Sequence, residues 1–129
     1  MSFVLEQSSI EIEFSNNWPH TQIARDNVSF SPQGLDEWVR FSDLNADAKQ
    51  ASLGNNPLFR YRGMVVIQIF TKVNSGAARA LELSDYVTGI FRSKKIGDVQ
   101  FQVPAVTRIG PRDGWYQVNV DCPYYRDEE

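Results

Sequence analysis

At 129 residues the chain suits one domain, because folding at this size buries roughly 65–70% of the surface an unfolded chain exposes and two separate cores would each be too small. Its 42% hydrophobic and 22% charged residues are a globular composition, which excludes a fibre or a disordered chain. The formal net charge of -3 comes with no basic run longer than Lys94-Lys95, which argues against an electrostatic grip on nucleic acid, and the single cysteine, Cys122, has no internal disulfide partner.

Met1 to Phe14 lacks a basic start and an unbroken apolar stretch, and no segment approaches the ~20 apolar residues of a membrane helix. The sequence therefore predicts a protein that is soluble at synthesis and carries no signal peptide. The same opening segment reads two ways. Ile10, Ile12 and Phe14 alternate with Glu11 and Glu13 as in a half-buried strand, whereas Phe3, Ile10 and Phe14 share one helical stripe.

Turn formers from Asn16 to Gly34 mark a wrapping segment pinned by Trp18 and Phe30, with one short strand near Thr21 to Arg25. Glu37 to Leu44 alternates Val39 and Phe41 with Arg40 and Ser42, which predicts a strand. A polar connection follows from Asn45 to Pro57. Phe59 to Val73 is the clearest strand, with Tyr61, Val65, Ile67 and Ile69 on one face. Ala77 to Arg92 is the clearest helix: Ala80, Leu83, Val87, Ile90 and Phe91 form its apolar stripe, and Ser75 stands where it could cap the first turn.

Val99 to Ile109 predicts another strand, with Val99, Phe101, Val103 and Ala105 on one face and Pro104 marking an edge or a bulge. Gly110 to Gly114 turns the chain into Trp115 to Cys122, where Tyr116, Val118, Val120 and Cys122 alternate with polar residues, completing a hairpin. Pro123 is expected to end that strand and leave a short acidic tail. The elements sum to one α+β domain over residues 1–129: a mostly antiparallel sheet, one long helix packed on a face, and a C-terminal β-hairpin.

A domain of this size has a diameter of about 36 Å, whereas a fifteen-residue strand reaches about 50 Å. Either Gly63 bends the strand into two shorter pieces, or the Phe59 to Arg62 end overhangs the core and pairs with residues near Gln50 to Leu53. In the second case residues 45–62 form a projecting arm, and a projection of that kind gains its stability from a neighbouring subunit.

The residues offer little for catalysis. His20 has no carboxylate or second histidine at ligand spacing, Cys122 sits on an apolar strand face, and Asp43 and Asp47 lack the Asp-rich, Gly-containing loop of a calcium site. No catalytic, metal or cofactor site is predicted. The informative side chains are Arg60, Arg62 and Arg108, since arginines projecting from strands commonly anchor interfaces.

The runs Asp47-Ala48-Lys49-Gln50-Ala51-Ser52-Leu53-Gly54 and Phe59-Arg60-Tyr61-Arg62-Gly63, with Trp38-Val39-Arg40-Phe41, Val106-Thr107-Arg108-Ile109-Gly110, Gly114-Trp115-Tyr116-Gln117-Val118-Asn119-Val120 and Cys122-Pro123, resemble the tail terminator, or tail-completion, proteins of tailed bacteriophages. The resemblance spans most of the chain. It implies an N-terminal helix over Ser2 to Phe14 and a non-enzymatic virion protein at the head-proximal end of the tail, made in the host cytoplasm. Such subunits form a ring, expected to be a hexamer, that caps the tail tube, stops its polymerisation and provides the surface for head–tail joining. The implied partners are further copies, the tail tube protein and a head–tail connector or neck protein, with genomic DNA passing through the lumen and no membrane or cofactor involved. Gln50, Ser52, Leu53, Phe59, Arg60, Arg62 and Arg108 are the expected interface residues. The alternatives are another neck or connector protein, or a small binding module.

Overall fold

The computed structural model describes residues 2–50, 54 and 57–128. Nine elements follow in order: α1 (Phe3–Asn16), β1 (Gln22–Arg25), β2 (Glu37–Gln50), β3 (Phe59–Lys72), α2 (Ala78–Phe91), β4 (Lys95–Ile96), β5 (Val99–Phe101), β6 (Ala105–Arg112) and β7 (Trp115–Glu128). The seven strands make one sheet in the order β1-β2-β3-β7-β5-β4, with β6 pairing to β7 off this path. The α+β expectation holds, with one difference in the sheet. It is mixed, because β1 runs parallel to β2 while the other pairings are antiparallel.

Both helices contribute to a single core on one face of the sheet. Ile10 and Phe14 of α1 and Ala80, Leu83, Val87 and Phe91 of α2 are fully buried there. Opposite them lie Val65, Ile67 and Ile69 of β3 and Val118, Val120 and Cys122 of β7, all at 0% exposure. The period-two pattern of these strands therefore turns its apolar side toward the helices. At the N-terminal end of α1, Ser2 caps the helix by accepting the Leu5 amide at 3.2 Å. Phe14 stacks on Trp18 and Phe91, and Trp18 donates its indole N–H to Thr21 Oγ1 at 2.9 Å, so the wrapping segment is pinned as the sequence predicts.

Several expectations are corrected. Ser75 does not cap α2: Ala77 is the N-cap residue without a side-chain bond, and the Ser75 hydroxyl instead donates to the Lys72 carbonyl, closing the turn after β3. Nor is α2 the longer helix, since α1 and α2 each span 14 residues. Val99 to Ile109 is not one strand. It breaks around Pro104 into β5 and β6, which pair with successive stretches of β7, and the break reverses the face on which side chains fall. Val106 thereby sits beside Val120 on the helix side, and Val103 is 63% exposed instead of buried. The hairpin turn is the pair Asp113-Gly114, both at positive φ (52° and 83°), the conformation that suits a two-residue connection.

The largest correction concerns the C-terminal region. β7 does not stop at Pro123 but continues to Glu128, paired with β3 along its whole length from Trp115↔Lys72 to Glu128↔Phe59. Pro123 is tolerated because its carbonyl accepts from the Gln102 amide, on the side away from β3, and a strand residue directs its missing N–H the same way. On that side the pairing with β6 stops at Asp121 and the pairing with β5 starts at Tyr124, so no ladder bond is lost. The expected acidic tail is thus a strand, and its Arg126 is only 2% exposed.

Candidate functional site

Among the described residues, the segment expected to form the arm is paired in three strands. β2 continues past Leu44, so much of the expected polar connection is strand, with Ala48↔Tyr61, Lys49↔Arg60 and Gln50↔Phe59 in register beyond a bulge between Asn45 and Ala48. On the other side β3 pairs with the end of β7. The Phe59 to Arg62 end is therefore central in a three-stranded blade and does not overhang as an isolated hairpin. The outer margin is β2: residues 44–49 are all exposed, and among the described residues β1 pairs only with Trp38 to Phe41. Ser52 and Leu53 lie outside the described residues.

β3 passes uninterrupted through Gly63, so the alternative of two shorter strands is not observed. Glycine is required there for another reason. A Cβ at Gly63 would collide with the phenol end of Tyr124 and lie 2.9 Å from the Leu44 carbonyl oxygen. Tyr124 crosses the glycine to donate its hydroxyl to Asp43 Oδ1 at 2.6 Å, tying β7 to β2 over β3. Burial raises the Asp43 carboxyl above its ordinary range, with the Tyr124 hydrogen bond opposing. Asp43 is accordingly a half-buried strand residue and not the solvated loop charge that the sequence suggests.

The base of the blade is held by a buried ion pair. Arg126 Nε donates to Glu6 Oε1 at 3.1 Å with both side chains 2% exposed, and Arg126 also pairs with Glu128. Its guanidinium lies over Tyr61 (4.5 Å) and Phe3 (5.1 Å), which themselves meet edge to face at 5.6 Å. Burial raises the Glu6 carboxyl, and the nearby Arg126 charge only partly offsets it. No local motif announced this pair, because the partners are 120 residues apart.

The expected interface arginines differ in their surroundings. Arg60 makes a bidentate pair with Asp127 (2.8 and 2.9 Å) and covers the Tyr125 ring at 4.3 Å. Arg62 and Arg108 are exposed with no carboxylate partner among the described residues. Phe59 is 36% exposed at the start of β3, and Gln50 closes β2 opposite it. The structure thus brings Gln50, Phe59, Arg60 and Arg62 together on the blade, whereas Arg108 stands on β6, which pairs only with β7 among the described residues.

The Arg60 hydrogen bond holds the Asp127 carboxyl below its ordinary value of 3.8. Its folded value being the lower one, the stability it adds is complete above the unfolded value and is lost as pH falls through the folded one. Asp127→Asn should therefore lower the thermal midpoint at neutral pH and converge with the parent as acid titrates the group, as followed by melting curves.

Among the described residues no cluster of His, Cys, Asp and Glu is arranged to hold a metal ion. His20 stacks on Tyr86 at 4.3 Å and meets Trp18 edge on. Cys122 is fully buried, with its thiol pushed up to about 12 by desolvation. Among the described residues no helix is long and apolar enough to cross a membrane. A cavity of about 520 Å³ opens on the face away from the helices, between the rings of Trp38, Phe70 and Trp115 and the guanidinium groups of Arg40 and Arg112.

A family model described as phage tail terminator protein matches residues 8–124. The chain belongs to that family. The match runs from within α1 to Tyr124 of β7, short of the β7 residues that complete the blade, and it gives this terminator protein a structural role in the phage tail. A solved structure whose description states no function superposes with a TM-score of 0.73, covering 100% of this chain and 97% of its own at 16% identity, which shows a shared fold. No match was found among the curated proteins.

Proposed function

We propose that this terminator protein forms a ring, of six copies, that caps the tail tube, halts its polymerisation and offers the surface on which the head connector docks. The supporting observation is the family match over residues 8–124 together with a blade in which, among the described residues, β1 pairs with β2 only from Trp38 to Phe41. A subunit that ends a polymer needs one face able to join the tube and another unable to accept the next layer. A closed ring needs head-to-tail contacts whose rotation closes. Gln50, Phe59, Arg60 and Arg62 of the blade, together with Ser52 and Leu53 and with Arg108 on β6, serve those contacts, and the DNA passes through the lumen without sequence-specific binding.

Negative-stain images of the purified protein mixed with tail tubes should show a ring at one end of each tube; tubes with bare ends at saturating protein would overturn the reading. Arg62→Glu is the sharper probe of the blade, because Arg60 is already engaged by Asp127 while Arg62 has no carboxylate partner among the described residues. The variant should melt within a few degrees of the parent, since exposed substitutions usually change stability by less than about 0.5 kcal/mol. In a phage dependent on it, overlong or headless tails are expected. Normal particles would remove the blade from the contact.

A further inference from the structure

The face of the sheet away from the helices carries an aromatic cluster of its own. Strand register assembles it: Trp38 of β2 lies opposite Phe70 of β3, Phe70 lies opposite Gln117 of β7, and Trp115 of β7 lies opposite Arg112 of β6. Trp38 and Phe70 stack at 4.1 Å, Trp115 meets Trp38 edge on at 6.0 Å, and Phe30 of the wrapping segment packs on Trp38 at 5.0 Å. The rings do not fill the space beside them. The cavity of about 520 Å³ left there, lined also by Pro32, has the size of a ligand pocket.

Its polar groups are mostly donors in want of an acceptor. Arg25, Arg60, Arg79 and Arg126 each pair with a carboxylate. Arg40 and Arg112, which line the cavity, pair with none among the described residues. Asp113 is the one acid among the lining residues, and it forms no ion pair with either guanidinium. Arg40 is held 5.7 Å from the centre of the Trp38 ring. The indole N–H of Trp38 is buried and has no acceptor among the described residues, which is costly for a donor removed from water. Flat apolar walls, two guanidinium groups without anions and an unmet N–H thus meet in one place.

We propose that this cavity receives an acidic side chain and a neighbouring aromatic side chain from a segment of a partner protein in the phage particle. The carboxylate accepts from Arg40 and Arg112, whose forked donors match its two oxygens, and the ring packs against Trp38, Phe70 and Trp115. A nucleotide also offers a ring and an anion, but duplex DNA keeps its bases stacked inside, and a chain of net charge -3 has no basic run to hold a separated strand. The inference rests on the proposed docking role at the end of the tube and names the chemistry of what docks.

The test titrates the isotope-labelled full-length protein with the dipeptide acetyl-Glu-Phe-amide in the millimolar range and follows the indole N–H signals of its three tryptophans by NMR. Trp18, whose N–H is held by Thr21, is the internal reference. The Trp38 and Trp115 signals should move while that of Trp18 stays, and acetyl-Gln-Phe-amide should bind about tenfold more weakly, because it lacks the charge that strengthens the hydrogen bonds. With Arg40→Gln and Arg112→Gln combined, the circular dichroism spectrum should be unchanged and the preference for the acid lost. Equal binding of the two dipeptides, or no movement of Trp38 and Trp115, would overturn the proposal; tighter binding of thymidine monophosphate would replace it with a nucleotide site. In a phage carrying the double variant, tails without heads or tubes without rings are expected. Normal particles would exclude the cavity from assembly and leave the ring standing, whereas a parent protein never found at tube ends would overturn the proposed function and this partner together.

Discussion

Val118→Asp should abolish folding at ordinary temperature. Val118 has no exposure, lies on β7 opposite Ile69 of β3, and points into the layer filled by α2. A carboxylate there has neither water nor a cation, and such a burial costs about 4 kcal/mol or more. That is a large part of the roughly 5–15 kcal/mol by which a domain is stable. The neighbouring Asn119→Asp introduces the same charge on the opposite face, keeps an oxygen for the Gln117 amide that donates to it at 2.9 Å, and should shift stability by less than about 0.5 kcal/mol. Urea denaturation of the pair distinguishes a charge effect from a facing effect. If both variants unfold at similar urea concentrations, the assignment of β7's inner face is wrong.

Gly63→Ala carries the second large expected effect. The added methyl falls where the Tyr124 phenol now lies, and the Leu44 carbonyl blocks escape on the other side. Tyr124 must leave, and its hydrogen bond to Asp43 is lost with it. Overpacking costs about 1–3 kcal/mol and a hydrogen bond to a charged group about 1.5–3 kcal/mol, so a loss of about 3 kcal/mol is expected. Removing the ring first should relieve the clash, so Gly63→Ala combined with Tyr124→Leu should cost less than the two single changes added together. Strict additivity in a double-mutant cycle would show that the glycine is needed for something other than the tyrosine.

The sequence revealed the parts of the fold whose causes are local. Val65, Ile67 and Ile69, and Val118, Val120 and Cys122, recur every second residue because one side of each strand is buried, and that regularity needs no knowledge of the partner. Ala80, Leu83, Val87 and Phe91 declare α2 in the same way. α1 was ambiguous for a physical reason: Ile12 is apolar but exposed, so Ile10, Ile12 and Phe14 imitate a strand, and only the resemblance to tail terminators implied a helix. The outer half of β2 reads as a loop in the sequence, since its residues 44–50 are all exposed and no burial pattern marks it. The Arg126–Glu6 pair and the continuation of β7 past Pro123 depend on which distant segments lie alongside, which composition and spacing do not encode. The length argument predicts an overhanging end for β3 but not the pairing of that end with β7.

The position of β7 has a consequence for the order of events during folding. It inserts between β3 on one side and β5 and β6 on the other, while following all of them along the chain. Until it arrives, β3 has an open edge, the buried clamp on α1 lacks its arginine, and Asp43 lacks its tyrosine. Non-local closure of this kind is slow, since the loops must be brought together before the contacts reward it. The blade and the clamp on α1 are thereby completed by one and the same step, the docking of β7.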